Sequence, residues 1–168
     1  DRLVKKNCNK FITGSKFSNM ILKKVLKLPV DKAMVINNAV NIPFNDDPKS
    51  NIRLSLGLDI KEVYAGIIAV HEKRKGHIYC LKTFREILSR GLLPPKLLIE
   101  GCGRETPMLK SFIKENELDE FVTFIGHIDS IHDFYKSIDF LVLPSIDYED
   151  FPNVIIEAMG AGLPVIGT

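Results

Sequence analysis

The sequence predicts an α/β fold, a Rossmann-like parallel sheet with helices on both faces. Three observations carry that reading. Short, nearly continuous apolar runs recur between residues 63 and 168, as strands buried on both faces require. Amphipathic stretches of helical period separate them, and right-handed crossovers then build a parallel sheet covered on both sides. Glycine and charged residues gather directly after the apolar runs, where ligands bind in such sheets, outside the carboxyl ends of the strands.

Each element follows from its own residues. Phe11-Ile12-Thr13-Gly14-Ser15 leads to Ser18, which stands ahead of a helical pattern. Met20, Ile21, Val25 and Leu28 share one face of that helix with lysines opposite, and Pro29 ends it. Ala33-Met34-Val35-Ile36 reads as a short strand, followed by the turn-rich residues 37–43. Residues 45–50 are polar and carry Pro48, so they read as a linker at the boundary of the main domain.

From there the alternation is regular. The strand over residues 63–70 is followed by a charged loop and by a helix with Cys80, Leu81, Phe84, Ile87 and Leu88 on one face. Gly91 closes that helix as a left-handed cap. A strand over residues 97–100, the turn Gly101-Cys102-Gly103, and a helix marked by Met108, Leu109, Phe112 and Ile113 come next. The strand Val122-Thr123-Phe124-Ile125 ends at Gly126, and a helix bearing Ile131, Phe134, Tyr135 and Ile138 leads to Phe140-Leu141-Val142-Leu143. The last stretch is an acidic loop, a short helix with Pro152 at its first position, and a strand opened by Pro164. Four loops at strand ends matter for function: 71–76, 101–105, 126–130 and 144–153.

At 168 residues with 45% apolar and 26% charged side chains, the chain is long enough for one α/β domain or slightly more. The formal charge of +2, without aromatics interleaved among basic residues, gives no support for nucleic acid as a partner. Basic residues crowd the first thirty positions, either as a solvated helix face or as a surface attracting phosphate or anionic membrane. Cys8, Cys80 and Cys102 lack metal-ligand spacing and are odd in number, which fits a reducing compartment without disulfides or structural zinc. No apolar run is long enough for a membrane span. The chain opens on Asp1 and stops at Thr168 directly after an apolar strand, so both ends read as cut from a longer protein.

Candidate site residues each admit two readings. Gly101-Cys102-Gly103 is either a tight βα turn or a place where a ligand approaches the backbone. Lys75, ahead of Gly76 and a helix, is either a surface lysine or a phosphate contact aided by helix-end N–H groups. Glu149 and Glu157 lie on either side of the turn at Phe151-Pro152, which leaves the N–H groups of Asn153 and Val154 facing the loop. The pair either caps and solvates the helix, or binds sugar hydroxyls while the amides meet phosphate. Val154, Ile155, Ala158 and Met159 form the packed side of that helix, which turns Glu157 toward the cleft.

The whole string resembles the retaining glycosyltransferases of the GT-B fold (family 4, group 1 type). Their pattern is Pro-Ser, a short spacer, then E-G-F-P-x-x-x-x-E-A-M-A-x-G-x-P-V-I. Pro144-Ser145, Glu149, Phe151-Pro152, Glu157-Ala158-Met159, Gly162 and Pro164-Val165-Ile166 match it. The likeness extends through Tyr135, Asp139, residues 122–126 and 101–103, Lys75-Gly76 and Asn38-Ala39-Val40, nearly the whole chain.

That resemblance implies the C-terminal, donor-binding half of a GT-B enzyme. Residues 1–45 would be the tail of an N-terminal acceptor domain plus linker, and 46–168 a truncated nucleotide-sugar-binding domain. The implied reaction is hexosyl transfer from a nucleotide-sugar to a saccharide or lipid-linked acceptor with retention, in polysaccharide or glycolipid assembly, the fragment alone being inactive. Glu149 would be the catalytic carboxylate beside the donor sugar, and Glu157 would bind the ribose hydroxyls. Lys75, with backbone around Gly103, Phe151, Pro152, Asn153 and Val154, would line the donor and its diphosphate; His127 and Ile128 would meet the base. No metal or other cofactor is implied. A cytoplasmic protein is implied, with peripheral contact to the inner membrane face through the acceptor domain. A GT-B sugar-nucleotide epimerase and a non-catalytic nucleotide-sugar or partner-binding module are the alternatives.

Three departures from the family pattern stand out. Ala69-Val70-His71 replaces a Gly-Arg-Leu, removing the usual phosphate-binding arginine, for which Arg74 or Arg104 are the substitutes at hand. Asp150 stands where glycine is common, and Gly160 where alanine is. The first two bear on phosphate affinity and donor choice, not on the fold.

Overall fold

The structure, a computed structural model, describes residues 7–41, 47–126, 128 and 130–168. The chain divides into two compact units, one of Asp1–Val40 with Glu149–Asn153, the other of Asn41–Tyr148 with Val154–Thr168.

In the first unit, strand β1 (Phe11–Thr13) pairs in parallel with β2 (Ala33–Val35), and helix α1 (Lys16–Leu26) connects them with a 3-10 turn at Val30–Lys32. The helix starts earlier than its apolar period suggests. Ser15, not Ser18, is the cap, its hydroxyl accepting from the Ser18 N–H at 3.0 Å. Of the apolar residues expected to share one face, Met20, Ile21 and Val25 are exposed, whereas Leu28 is buried, as is Asn19.

The second unit holds the main sheet. Strands β3 (Tyr64–Ile68), β4 (Lys96–Glu100), β5 (Val122–Gly126), β6 (Phe140–Leu143) and β7 (Val165–Gly167) are all parallel, in the order β5-β4-β3-β6-β7. Helices α3 (His77–Ser89), α4 (Thr106–Glu115), α5 (Ile131–Ser137) and α6 (Asn153–Gly160) make the crossovers. The expected Rossmann-like parallel sheet is therefore present. Its faces separate by strand alternation. Ala65, Ile67, Leu97 and Ile99 pack with Cys80, Leu81, Phe84, Leu109 and Ile113 of α3 and α4. Tyr64, Leu98 and Leu141 pack with Phe134, Tyr135, Ile138 and Ala158 on the other side. Burying each large aliphatic residue of these layers contributes about 1.5–3 kcal/mol before the entropy cost. Gly66 lets α5 lie directly on β3, since a Cβ there would sit 2.6 Å from Ile138 Cδ1.

One helix escaped the sequence reading. Lys49 and Ser50, expected in a linker, open α2 (Lys49–Ser55), with Pro48 just before it. The helix delivers Arg53, 4% exposed, beneath the sheet end. Arg53 donates to Asp139 Oδ2 at 2.6 Å, to Ser137 O at 2.8 Å and to Glu62 O at 2.9 Å, and lies 4.7 Å from the Tyr64 ring centre. Lys49 meets the other Asp139 oxygen at 2.5 Å, and the Tyr64 N–H donates to Oδ2 at 2.7 Å. Asp139 thus fastens α2 to the start of β3 and β6.

Candidate functional site

The strand order reverses at β3: β4 and β5 extend to one side, β6 and β7 to the other. The switch point of the sheet therefore lies between β3 and β6, and the carboxyl ends of the strands there are the usual ligand position in such sheets. In this chain the loops leaving those two strands are stitched together. The Ile146 N–H donates to Arg74 O at 2.9 Å. Gly76 takes φ 69°, and a Cβ on it would fall 1.7 Å from Pro144 O, so only glycine permits the approach. Lys75, half-buried, ends the 3-10 turn Lys73–Lys75 and immediately precedes this glycine and the N-terminus of α3.

The β4–α4 turn is locked to the same loop through His71. The His71 N–H donates to Cys102 O at 3.0 Å, and His71 O accepts from the Glu105 N–H at 3.0 Å. A Cβ on Gly103 would lie 2.5 Å from His71 O, and one on Gly101 2.3 Å from Ala69 O. The glycines at 101 and 103 thus serve the approach of one loop to another. The Thr106 hydroxyl donates to Gly103 O at 2.8 Å and accepts from the Gly103 N–H at 3.0 Å. His71 Nδ1 lies 2.7 Å from the same hydroxyl, and Nε2 is buried without a hydrogen-bond partner among the described residues. Burial, with Lys110 second, holds the His71 pKa below the ordinary imidazole value. His77 packs edge-on at 4.8 Å between ring centres. Burial first, then His71 and Lys75, lower its pKa to about 4, so both rings are neutral at pH 7.

Glu157 is half-buried on α6, and its Oε2 accepts from the Tyr135 hydroxyl of α5 at 2.6 Å. Tyr135 is 1% exposed. Burial first, then the hydrogen bond to Glu157 and its charge, push this phenol far above its ordinary pKa, so it remains a donor. The packed side of α6 is narrower than its sequence suggests. Val154 and Ala158 join the core layer of α5, whereas Met159 is 64% exposed. The helix also begins at Asn153, one residue later than expected, which leaves Pro152 just outside it.

Glu149, Phe151, Pro152 and Asn153 lie in the first unit, Glu149 half-buried and Asn153 exposed. There Asn38 Nδ2 donates to Asn153 Oδ1 at 2.8 Å and to Phe151 O at 3.4 Å, and Asn37 Nδ2 donates to Gly14 O at 2.8 Å. Ser15 donates its hydroxyl proton to Asp150 Oδ1 while its oxygen caps α1. Asp150, the departure from the family glycine, therefore has a structural partner of its own. Of the residues expected at the base, Ile128 packs on the α5 core layer and His127 lies outside the described residues. Tyr135 as the holder of Glu157, and Thr106 as the lock on Gly103, were not read from the sequence. A buried tyrosine's need for a hydrogen-bond partner was the available signal for the first.

The model of the family "Glycosyl transferases group 1" matches residues 61–168. An uncharacterised glycosyltransferase of Methanocaldococcus jannaschii is 32% identical over 162 residues, 92% of this chain and 41% of that protein. N-acetyl-alpha-D-glucosaminyl L-malate synthase of Bacillus anthracis is 34% identical over 88 residues, 52% of this chain and 22% of that protein. HepE of Anabaena, crystallised with UDP-glucose, superimposes with a TM-score of 0.84 at 22% identity, over 99% of this chain and 46% of that one. The chain thus spans less than half the length of these relatives. Its parallel α/β sheet is that of the GT-B glycosyltransferases, and with the match over residues 61–168 the chain belongs to the group 1 glycosyl transferases.

Proposed function

We propose that the chain is the donor-binding part of a retaining, nucleotide-sugar-dependent glycosyltransferase that passes a hexosyl group to a saccharide or lipid-linked acceptor. The observation that carries this is the Tyr135–Glu157 hydrogen bond. It holds one carboxylate oxygen while Oε1 makes no hydrogen bond among the described residues. A carboxylate oriented this way accepts from paired hydroxyls of a ribose, which is its role in this reading.

The other residues take roles that follow from their chemistry. Lys75 and the first-turn amides of α6 stabilise the diphosphate as the anomeric C–O bond breaks and the electron pair leaves with it. The acceptor oxygen then bonds to the anomeric carbon and gives up its proton to the departing diphosphate oxygen, with Glu149 favouring positive charge at that centre. Gly103, Phe151, Pro152, Asn153 and Val154 line the donor, and His127 and Ile128 meet the base. Residues 1–45 belong to the acceptor side and 46–168 to the donor side of the enzyme. Metal is not required, because cationic and amide groups take its place at the diphosphate. A role in polysaccharide or glycolipid assembly puts the enzyme in the cytoplasm, at the inner face of a membrane. Among the described residues no helix is long and apolar enough to cross one.

The test is turnover by the full polypeptide that carries this chain, with UDP-, GDP- and ADP-sugars and a panel of saccharide acceptors, with and without EDTA. Transfer with retained anomeric configuration, lost in Glu149→Ala and unaffected by EDTA, is expected. The isolated 168 residues are expected to bind donor weakly and turn over little. Epimerised nucleotide-sugar as the product, or nucleotide binding without turnover, would overturn the transferase reading.

A further inference from the structure

Helix α1 packs on β1 and β2, and its inward side chains, Asn19, Leu22 and Leu26, are buried or half-buried. At 3.6 residues per turn, Phe17, Met20, Ile21 and Val25 fall on the opposite side, within an arc of about 140°. All four are between 38% and 69% exposed. Lys24, also exposed, falls in the middle of that arc, and Lys16 and Lys27 follow along its Met20 edge. The outward face of this helix is thus apolar and basic at once.

The charge is of one sign. From Asn7 to Val30 the sequence has five lysines and no acidic residue. That combination decides between kinds of partner. A protein interface dries its central side chains, and lysine is depleted there because its ammonium would lose water. At a lipid surface the Lys24 stem can lie among the apolar groups while its ammonium reaches the headgroups. Nucleic acid would need a series of stacking aromatics, and Phe17 is the one aromatic residue of the helix. Apolar insertion and attraction of lysines to anionic lipid are the two signals that surface anchoring takes, and this face supplies both.

From this we infer that the outward face of α1 docks on an anionic lipid surface. Phe17, Met20, Ile21 and Val25 enter the headgroup boundary, and Lys16 and Lys24 meet lipid phosphates. The helix lies along the surface, since its 11 residues reach about 17 Å against about 30 Å of hydrocarbon core. The inference rests on the membrane-face placement proposed above, for which it names the contacting element, and is independent of the donor reading.

Flotation of the full polypeptide that carries this chain tests it, with phosphatidylcholine vesicles that contain or lack phosphatidylglycerol. Binding to the anionic vesicles alone is expected. Phe17→Ser with Met20→Ser, and Lys16→Gln with Lys24→Gln, all at exposed positions, are each expected to weaken it at least about fivefold. Phe17→Trp is expected to add emission, over the wild-type signal, that acrylamide quenches in buffer and that anionic vesicles protect. Wild-type vesicle binding with both double variants within about twofold of it would overturn the assignment to α1 and leave the membrane placement standing. No vesicle binding by the wild type would overturn both. An introduced indole already shielded in buffer would show the face covered by protein, either another part of the polypeptide or a second copy, and would overturn the lipid contact.

Discussion

The Tyr135 hydroxyl on α5 donates to Glu157 Oε2 on α6 at 2.6 Å, joining two helices that flank β6 on one face of the sheet. The bond orients the half-buried Glu157 carboxylate from a side chain that is itself 1% exposed. Tyr135→Phe keeps the packing and removes only this donor. Since Glu157 is half-buried and water can replace the hydroxyl, the expected stability loss is about 1 kcal/mol. If Glu157 holds the ribose as proposed, the donor KM is expected to rise about threefold to tenfold with kcat little changed, because such binding is made equally in ground and transition states. Donor titrations and urea unfolding measure the two effects separately.

Gly76 and Gly91 have nearly the same positive φ, 69° and 72°, but different surroundings. Gly91→Ala meets nothing within 4 Å, so it incurs only the left-handed backbone strain, about 1–2 kcal/mol. Gly76→Ala drives a methyl group into Pro144 O and must part the loops after β3 and β6. Its expected cost is above about 3 kcal/mol, by the same strain plus overpacking. Donor affinity is expected to fall with it in whatever fraction stays folded. Equal midpoints for the two variants in urea would show that the stitching of the loops is not tight.

Much of the fold was legible because a parallel strand buried on both faces is a continuous apolar run, and the crossover helices carry one apolar stripe each. Helix α2 was hidden because Ile52 is its one fully buried apolar residue and Pro48 precedes it, which reads as linker. The exposed Met20, Ile21 and Val25 mislead for the opposite reason: a periodic stripe marks a helix but says nothing of what covers it. The family motif marked Glu149 and Glu157 by position. The Tyr135 partner of Glu157 was invisible to spacing, lying 22 residues away, as was the Ser15 partner of the neighbouring Asp150, 135 residues away. The glycines at 101 and 103 were legible as a turn, but the space they spare is taken by Ala69 and His71 from another loop.

Asp139 shows how a buried arginine makes a carboxylate essential. Burial alone would raise its pKa, but hydrogen bonds from Lys49, the Tyr64 N–H and Arg53 outweigh it and hold the pKa below the ordinary 3.8. A depressed folded-state pKa contributes stability above the unfolded value and loses it as pH falls through the folded one. That loss is expected below about pH 4. Asp139→Asn leaves Arg53 with 5% side-chain exposure and no anion, at an expected cost of about 2–4 kcal/mol near neutral pH. Urea unfolding from pH 7 to pH 2.5 should show the wild type approaching the variant at the acid end; parallel curves would refute the network's role.

His77 is expected to act in a separate, higher window. Its folded pKa of about 4 lies below the unfolded value of 6.5, so between them the unfolded chain binds a proton that the folded one does not. Stability is full above pH 6.5 and falls as the pH drops toward 4, by about 3 kcal/mol at the lower end. Neither ring nitrogen has a hydrogen-bond partner among the described residues, although the residue is 2% exposed. Replacing a buried, unpartnered polar ring with an apolar group of similar size forfeits no bond. His77→Leu is therefore expected to stay within about 1 kcal/mol of the wild type at pH 7, and to be the more stable of the two at pH 5. Leu81→Ala, one turn along the same helix at a fully buried position, is expected to cost about 2–5 kcal/mol at either pH. Urea midpoints for the three proteins at pH 7 and pH 5 decide the matter: a His77→Leu curve that still falls in parallel with the wild type would place the acid sensitivity on another group.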